Sequence, residues 1–226
     1  MNGSDCLILQ TRLSWMKMHI FNNWTKPKSK ALEIKQVIIL ASKDLISMQD
    51  KNFYKTEELI NQKIEIWQEH VLFSGLWWFG VALSTIPWII WFLIRKKQST
   101  DRILYVGFYI MAISTLLDIL GDQAGLWHYR YHVIPTLPTY FPWDVTLMPV
   151  TVMILLQLFP KINPWLKAIF FGLLTSYIAE PFIHSLGIYE LNTWRYSYSF
   201  PIQILIFMSA HWLSQRSRFA PLHEDA

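Results

Sequence analysis

The sequence predicts an all-α membrane protein: a polytopic helical bundle of about five transmembrane helices, preceded by a polar, amphipathic N-terminal helix. Three observations carry this. Apolar residues make up 53% of the 226 positions and charged residues only 16%, where soluble domains carry about 25% charged residues. The apolar residues gather in runs long enough, at about 1.5 Å per residue, to cross a hydrocarbon core roughly 30 Å thick. Loops rich in proline, aromatic and basic residues separate the runs.

Residues 1–47 are the least structured part on this reading. The run from Cys6 to Phe21 is broken by Gln10, Arg12, Lys17 and His19, so it is neither a signal peptide nor a membrane span. Cys6 is the single cysteine, which excludes an intrachain disulfide and a cysteine-based metal site. Lys26-Pro-Lys-Ser-Lys30 reads as a loop. Leu32, Val37, Ile38, Ala41, Leu45, Ile46 and Met48 recur near helical spacing and suit a surface helix. Two readings stay open here: a poorly ordered extension over 1–47, or a chain that begins at Met48. Residues 48–71 then form a polar lead-in helix. Thr56-Glu-Glu-Leu is its expected entry, with acids in the first turn, and it runs straight into the first span.

The transmembrane bundle covers 72–215. Its spans lie near 72–94, 103–124, 143–159, 166–186 and 199–213, and 216–226 forms a tail. Pro87 and Pro149 fall within spans, which membrane helices tolerate when neighbours satisfy the freed carbonyls. One set of loops and span ends holds Arg95, Lys96, Lys97, Arg102, Lys161, Lys167, Arg216 and Arg218, whereas the opposite set between spans holds only Arg130 and Arg195. The positive-inside rule therefore places the N-terminus outside and the C-terminus in the cytoplasm of a cell-membrane protein. Trp77, Trp78, Trp127, Trp143, Trp165, Trp194 and Trp212 fall near span ends, where interfacial anchors belong.

The formal charge of +4 does not indicate nucleic-acid binding. Arg12, Lys17, Lys26, Lys28, Lys30, Lys35 and Lys43, set against Asp5, Glu33 and Asp44, place the excess in the first 47 residues. No reading element accompanies it. The expected partner is the lipid bilayer.

Ionisable residues inside such spans are costly and mark function or pairing. Asp118 and Asp122 lie in the outer part of the second span, Asp144 at the mouth of the third, and Glu180 and His184 one turn apart in the fourth. These five are the candidate ligand- or proton-binding residues. Asp122 and Asp144 also suit interfacial positions, with Asp144 as a helix cap, and Asp118 and Glu180 also suit interhelical hydrogen-bond clamps. Trp127, Tyr129 and Tyr177 are candidate aromatic walls, and Arg130 and Arg195 candidate partners for the acids. His128-x-x-x-His132 has helical metal spacing, but the segment leads to Pro135, Pro138 and Pro142, so it reads as an extended loop without a metal. No phosphate loop, dinucleotide fingerprint, zincin or serine-nucleophile motif is present, and no cofactor is expected.

Asp118-x-x-Gly121, Gly125-Leu-Trp-x-Tyr129, Pro135-x-x-Pro138, Pro142-x-Asp144, Pro149, Glu180-Pro181, Gly187-x-Tyr189, Trp194-x-Tyr196 and Tyr198-Ser-Phe-Pro201 occur in that order. This pattern resembles a family of uncharacterised multi-pass membrane proteins common in spore-forming bacteria. The resemblance covers roughly residues 50–215 and implies a plasma-membrane bundle without assigning an activity. A much looser likeness is to small lycopene-cyclase-type membrane domains, whose Pro-x-Glu-Glu has only Pro142-Trp-Asp144 and Glu180-Pro181 in its place here.

Two functions follow as expectations. One is binding or movement of a small ligand, a lipid or a proton at an outer-leaflet acidic cluster, alone or as the subunit of a membrane assembly. The alternative is a membrane enzyme in which a buried carboxylic acid protonates a lipid or isoprenoid.

Overall fold

Helix α1 runs unbroken from Pro27 to Ile66 in the computed structural model, which describes residues 27–158 and 160–216. The readings placed on residues 1–26, Cys6 and the Cys6–Phe21 run among them, and on the tail from 217 lie outside the described residues. The chain divides into two units, residues 1–59 and 60–226. In the first, neither glycine nor proline interrupts the sequence from Ala31 onward, so the helix passes through the boundary expected at residue 47. Thr56 lies inside it rather than at its entry, donating Oγ1 to the Asn52 carbonyl at 2.9 Å. Ile38, Leu45 and Phe53 are exposed along its length.

In the second unit the lead-in helix does not run straight into the first apolar helix. A π-helical turn, Trp67–Val71, ends it. Phe73 takes a left-handed conformation, φ 62°, and Ser74 caps helix α2, Gly75–Ile94, by accepting the Trp77 amide at 3.2 Å. The Ser-Gly pair is the physical reason for the break, since serine satisfies an orphan amide of the next helix.

Helix α3 covers Thr100–Gln123 and strand β1 Trp127–Tyr129. A π-helical turn, Pro142–Leu147, leads into α4, Met148–Leu158. Helix α5, Pro164–Leu174, passes through a third π-helical turn, Thr175–Ala179, into α6, Glu180–Ser185. Strand β2, Tyr189–Leu191, and helix α7, Tyr196–Ser214, complete the unit. Three helices are long and apolar enough to cross a membrane, namely Gly75–Ile94, Lys97–Gln123 and Pro164–Ser185, and the helix over Pro142–Leu158 is apolar but shorter. Ser197, Ser199, Gln203 and His211 dilute the apolar character of α7. Pro149 has no amide to give the preceding turn, and the Val145 carbonyl in that turn instead accepts Trp88 Nε1 at 3.2 Å.

Within this helical unit lies a two-stranded antiparallel ribbon that the hydropathy pattern gave no reason to expect. Trp127 pairs with Leu191, His128 with Glu190 and Tyr129 with Tyr189. Both strands begin just past a helix that ends in the same way. Gly125 (φ 70°) and Gly187 (φ 73°) occupy the left-handed region, where the missing Cβ removes the penalty. Leu126 N donates to the Gly121 carbonyl at 3.0 Å and Gly125 N to Asp122 at 2.9 Å, while Ile188 N donates to Ile183 at 3.3 Å and Gly187 N to His184 at 2.8 Å. Each set is a Schellman cap.

The matching caps belong to an internal repeat. A shift of 62 residues carries Ser114 to Ser176, Asp118 to Glu180, Gly125 to Gly187 and Trp127 to Tyr189, and every one of the first two pairs is buried. A shift of 59 residues then carries Tyr140-Phe-Pro-Trp-Asp144 to Ser199-Phe-Pro-Ile-Gln203, with Asp144 and Gln203 both buried. The ribbon obeys the corresponding two-fold: Arg130 N donates to the Ile188 carbonyl at 2.9 Å and Asn192 N to Leu126 at 3.0 Å. Two helical hairpins, α3–α4 and α5/α6–α7, thus meet about an axis through the ribbon. Val106, Ile110, Met148, Val152, Phe171, Phe207 and Ala210 fill the apolar core between them.

Candidate functional site

Helix α3 presents Ile103, Val106, Ile110, Ser114, Asp118 and Gly121 on its buried face, so one helical stripe turns from apolar to polar as it approaches the ribbon. Asp118 is held by three donors. Trp127 Nε1 reaches its Oδ1 at 2.9 Å and the Tyr129 hydroxyl reaches the same oxygen at 2.7 Å. The Tyr140 backbone amide donates to Oδ2 at 3.0 Å. Gly121 makes this approach feasible, because a Cβ there would lie 2.0 Å from the Trp127 indole.

The second acid sits in the π-helical turn before α4. Ser114 Oγ donates to Asp144 Oδ1 and Thr139 Oγ1 to Oδ2, and Asp118 and Asp144 line the same cavity. Asp144 is 1% exposed, so it is not a solvent-facing cap. The third acid, Glu180, follows the π-helical turn of the other hairpin. Its Oε2 accepts Ser199 Oγ at 2.9 Å, and Ser199 in turn accepts Trp194 Nε1 at 2.9 Å. The extra residue of a π turn rotates the helix that follows it, and such turns concentrate at functional sites.

Asp118, Asp144 and Glu180 line one cavity of about 270 Å³. Its walls carry Trp127, Tyr129, Tyr140, Trp143, Tyr189 and Trp194, and among the described residues no lysine, arginine or histidine lines it. Burial raises the phenols of Tyr129, Tyr140 and Tyr189 above their ordinary range, so all three are protonated donors at neutral pH. Gln203 also lines the cavity, is 7% exposed, and has no hydrogen-bond partner for its buried Oε1.

The structure places the other sequence candidates elsewhere. Asp122, half-buried, accepts Gln123 Nε2 at 3.1 Å and does not line the cavity. His184 bonds the Tyr196 hydroxyl through Nδ1 and faces Glu190 at 3.8 Å. Arg130 pairs with Glu190 at 2.9 Å rather than with the acid cluster, and among the described residues no ion pair joins Arg195 to an acid. Tyr177 is exposed and packs on Phe200. The tryptophans expected as anchors divide: Trp78, Trp165 and Trp212 are exposed, while Trp127, Trp143 and Trp194 line the cavity.

His128 stands in β1, and His132 lies in the loop beyond it, buried. Burial, with the charge of Lys63 as the second cause, lowers the His132 imidazole to about 4. Its carbonyl accepts Trp67 Nε1 at 2.7 Å, and the next carbonyl, of Val133, accepts Trp77 Nε1 at 3.3 Å. The loop is thereby tied to the start of α2. Among the described residues no group of three or more histidine, cysteine or acidic side chains is arranged to hold a metal ion.

Sequence reasoning missed Ser114, Thr139, Ser199 and Gln203 as site residues. Ser114 could have been found one turn before Asp118. Ser199 and Gln203 are legible only once the Phe-Pro repeat is aligned, because nothing in their own segment distinguishes them from other polar residues of a helix. Comparison of the chain with models of known protein families, with curated proteins and with solved structures finds no match.

Proposed function

We propose that this chain is a five-span membrane protein that binds a small ligand in an acidic, aromatic-walled cavity in the outer half of the bilayer. The observation that carries the reading is the convergence of Asp118, Asp144 and Glu180 on one cavity of about 270 Å³. Polar groups inside a span normally face a bundle interior and pair with one another, and ligand pockets combine apolar walls with a few convergent polar groups. On this reading α4, with the π-helical turn before it, and α7 are the third and fifth spans, the third short and the fifth diluted by polar residues. The ribbon end is the external end, because Arg95, Lys96, Lys97, Lys161 and Arg216 lie at the other. The site sits between repeats, as ligand sites do in membrane proteins built from internal repeats.

The acidic cluster also serves the second reading, acid-catalysed chemistry on a lipid or isoprenoid. The presence of Asp118 and Asp144 in the lining of one cavity favours it, since a protonated carboxyl there can deliver its proton. That reading requires an altered membrane-lipid profile on deletion of the gene, whereas simple binding leaves the profile unchanged.

The test is native mass spectrometry of the protein released from lipid nanodiscs, wild type beside Glu180→Gln. Binding predicts a discrete small-molecule adduct on the wild type, diminished in the variant. Bare protein in both samples would return the acids to the role of helix clamps, with function residing in a partner subunit.

A further inference from the structure

We infer that the cavity takes an organic ammonium ion: a protonated primary amine bound by Glu180 and Gln203, with an apolar or aromatic body against Trp127, Trp143 and Trp194. The inference rests on the binding reading above and adds the chemical class of the ligand.

The internal repeat supplies the argument, because its two halves are satisfied unequally. In the first half, Ser114 donates to Asp144, Thr139 donates to the other Asp144 oxygen, and Asp118 accepts three donors. The serine–carboxyl contacts of that half are complete without a ligand, and the group it leaves open, the buried Tyr140 hydroxyl, is a donor rather than an acceptor-only oxygen. In the second half the equivalent of the Ser114–Asp144 pair is Ser176 and Gln203, and it is not made. Ser176 Oγ and Gln203 Oε1 are both buried and without a partner. Glu180 Oε2 takes one hydrogen bond, from Ser199. A buried acceptor left without a donor is destabilising unless something else supplies the donor. The polar end of a ligand therefore belongs at Glu180 and Gln203.

The lining sets the sign of the ligand. Three acids and, among the described residues, no basic side chain face the cavity, so a carboxylate or phosphate headgroup would meet acids and no compensating cation in a medium of low dielectric. A cation meets the opposite. Six aromatic rings line the walls, and ring faces attract cations, most strongly where water is excluded. An unpartnered acceptor oxygen further selects a cation that carries N–H donors over a quaternary one.

Isothermal titration calorimetry at pH 7 on the full chain in nanodiscs of zwitterionic lipid tests this, with three probes of one shape: 2-phenylethylammonium, 2-phenylethanol and 3-phenylpropionate. The ammonium is expected to bind, the alcohol at least about tenfold more weakly, and the carboxylate not measurably. Glu180→Gln is expected to weaken the ammonium about tenfold or more, and Gln203→Leu several-fold, with neither markedly lowering the thermal transition of the free protein. Equal binding of alcohol and ammonium would overturn the ammonium assignment and leave the cavity as a ligand site. Failure of all three probes to bind the wild type would overturn it too, and the adduct measurement above then decides separately whether the cavity binds anything. Ammonium binding unchanged in both variants would show that the amine sits elsewhere, which equally refutes the proposal.

Discussion

Gly121→Ala is the sharpest single perturbation of this site. The new methyl would lie 2.0 and 2.1 Å from two atoms of the Trp127 benzo ring, where ordinary contact needs about 3.5 Å. The indole must therefore withdraw by more than an ångström, and its Nε1 then loses Asp118 Oδ1, now 2.9 Å away. Overpacking of this kind costs about 1–3 kcal/mol, and a buried hydrogen-bond group left unsatisfied costs about 1–3 kcal/mol more. Alanine recovers about 1 kcal/mol of helix propensity over glycine. The net loss is about 1–5 kcal/mol. Equilibrium unfolding in mixed micelles, followed by tryptophan emission, measures it for Gly121→Ala, Trp127→Phe and the double variant. The phenyl ring lacks the outer atoms that clash, so the alanine should cost less than about 1 kcal/mol in the Trp127→Phe background. An equal cost in both backgrounds, or a cost below about 0.5 kcal/mol in the wild type, would refute the packing argument.

The same geometry separates the acids by role. Asp118→Asn sets an amide NH₂ against a donor, either Trp127 and Tyr129 or the Tyr140 amide, and should cost about 1–3 kcal/mol by unfolding. Glu180→Gln keeps an acceptor for Ser199 and should stay within about 1 kcal/mol of the wild type. His132 makes stability depend on pH. Its native imidazole is lowered to about 4 from an unfolded value of 6.5, so the unfolded chain binds the extra proton, and stability present above about 6.5 is lost as pH falls towards 4. The loss approaches about 3 kcal/mol at its largest, and the thermal transition of His132→Gln should fall less than that of the wild type between pH 7 and pH 5. Trp88→Phe leaves the Val145 carbonyl beside Pro149 without its donor. An expected loss of about 1–3 kcal/mol on unfolding checks that repair of the proline site.

How much of this was legible beforehand depended on the range of the interaction. The apolar runs of α2, α3 and α5/α6 are read from composition alone, and their placement near 72–94, 103–124 and 166–186 follows within a few residues. Asp118 and Glu180 stood out because a carboxyl within such a run is costly wherever it points. Asp144 was harder, since three residues after Phe141 it looks equally like a cap, and only its enclosure by Ser114 and Thr139 shows otherwise. The ribbon was invisible because strands of three residues carry no usable alternation, and its register is set by two helix caps far apart in sequence. The repeat escaped notice for a related reason. Its two halves share a handful of positions, Gly125 and Gly187 and the Phe-Pro pairs among them, while the outward-facing residues between them are free to differ. Arg130 was expected to serve the cluster because it is a rare external cation. Its partner is Glu190, the residue directly across the ribbon from His128, which no linear reading would pair with it.

The central claim, that the acids of two hairpins converge on one apolar cavity, is tested most directly by mapping a hydrophobic carbodiimide on the protein in nanodiscs. Such a reagent partitions into lipid and adds to carboxylic acids in apolar surroundings. The account predicts adducts on Asp144 and Glu180 by peptide mass spectrometry, with both reduced when Ile206, which lines the cavity, is replaced by phenylalanine to fill it. Modification confined to exposed acids such as Glu69 and Asp101, or labelling of Glu180 that ignores Ile206→Phe, would contradict it.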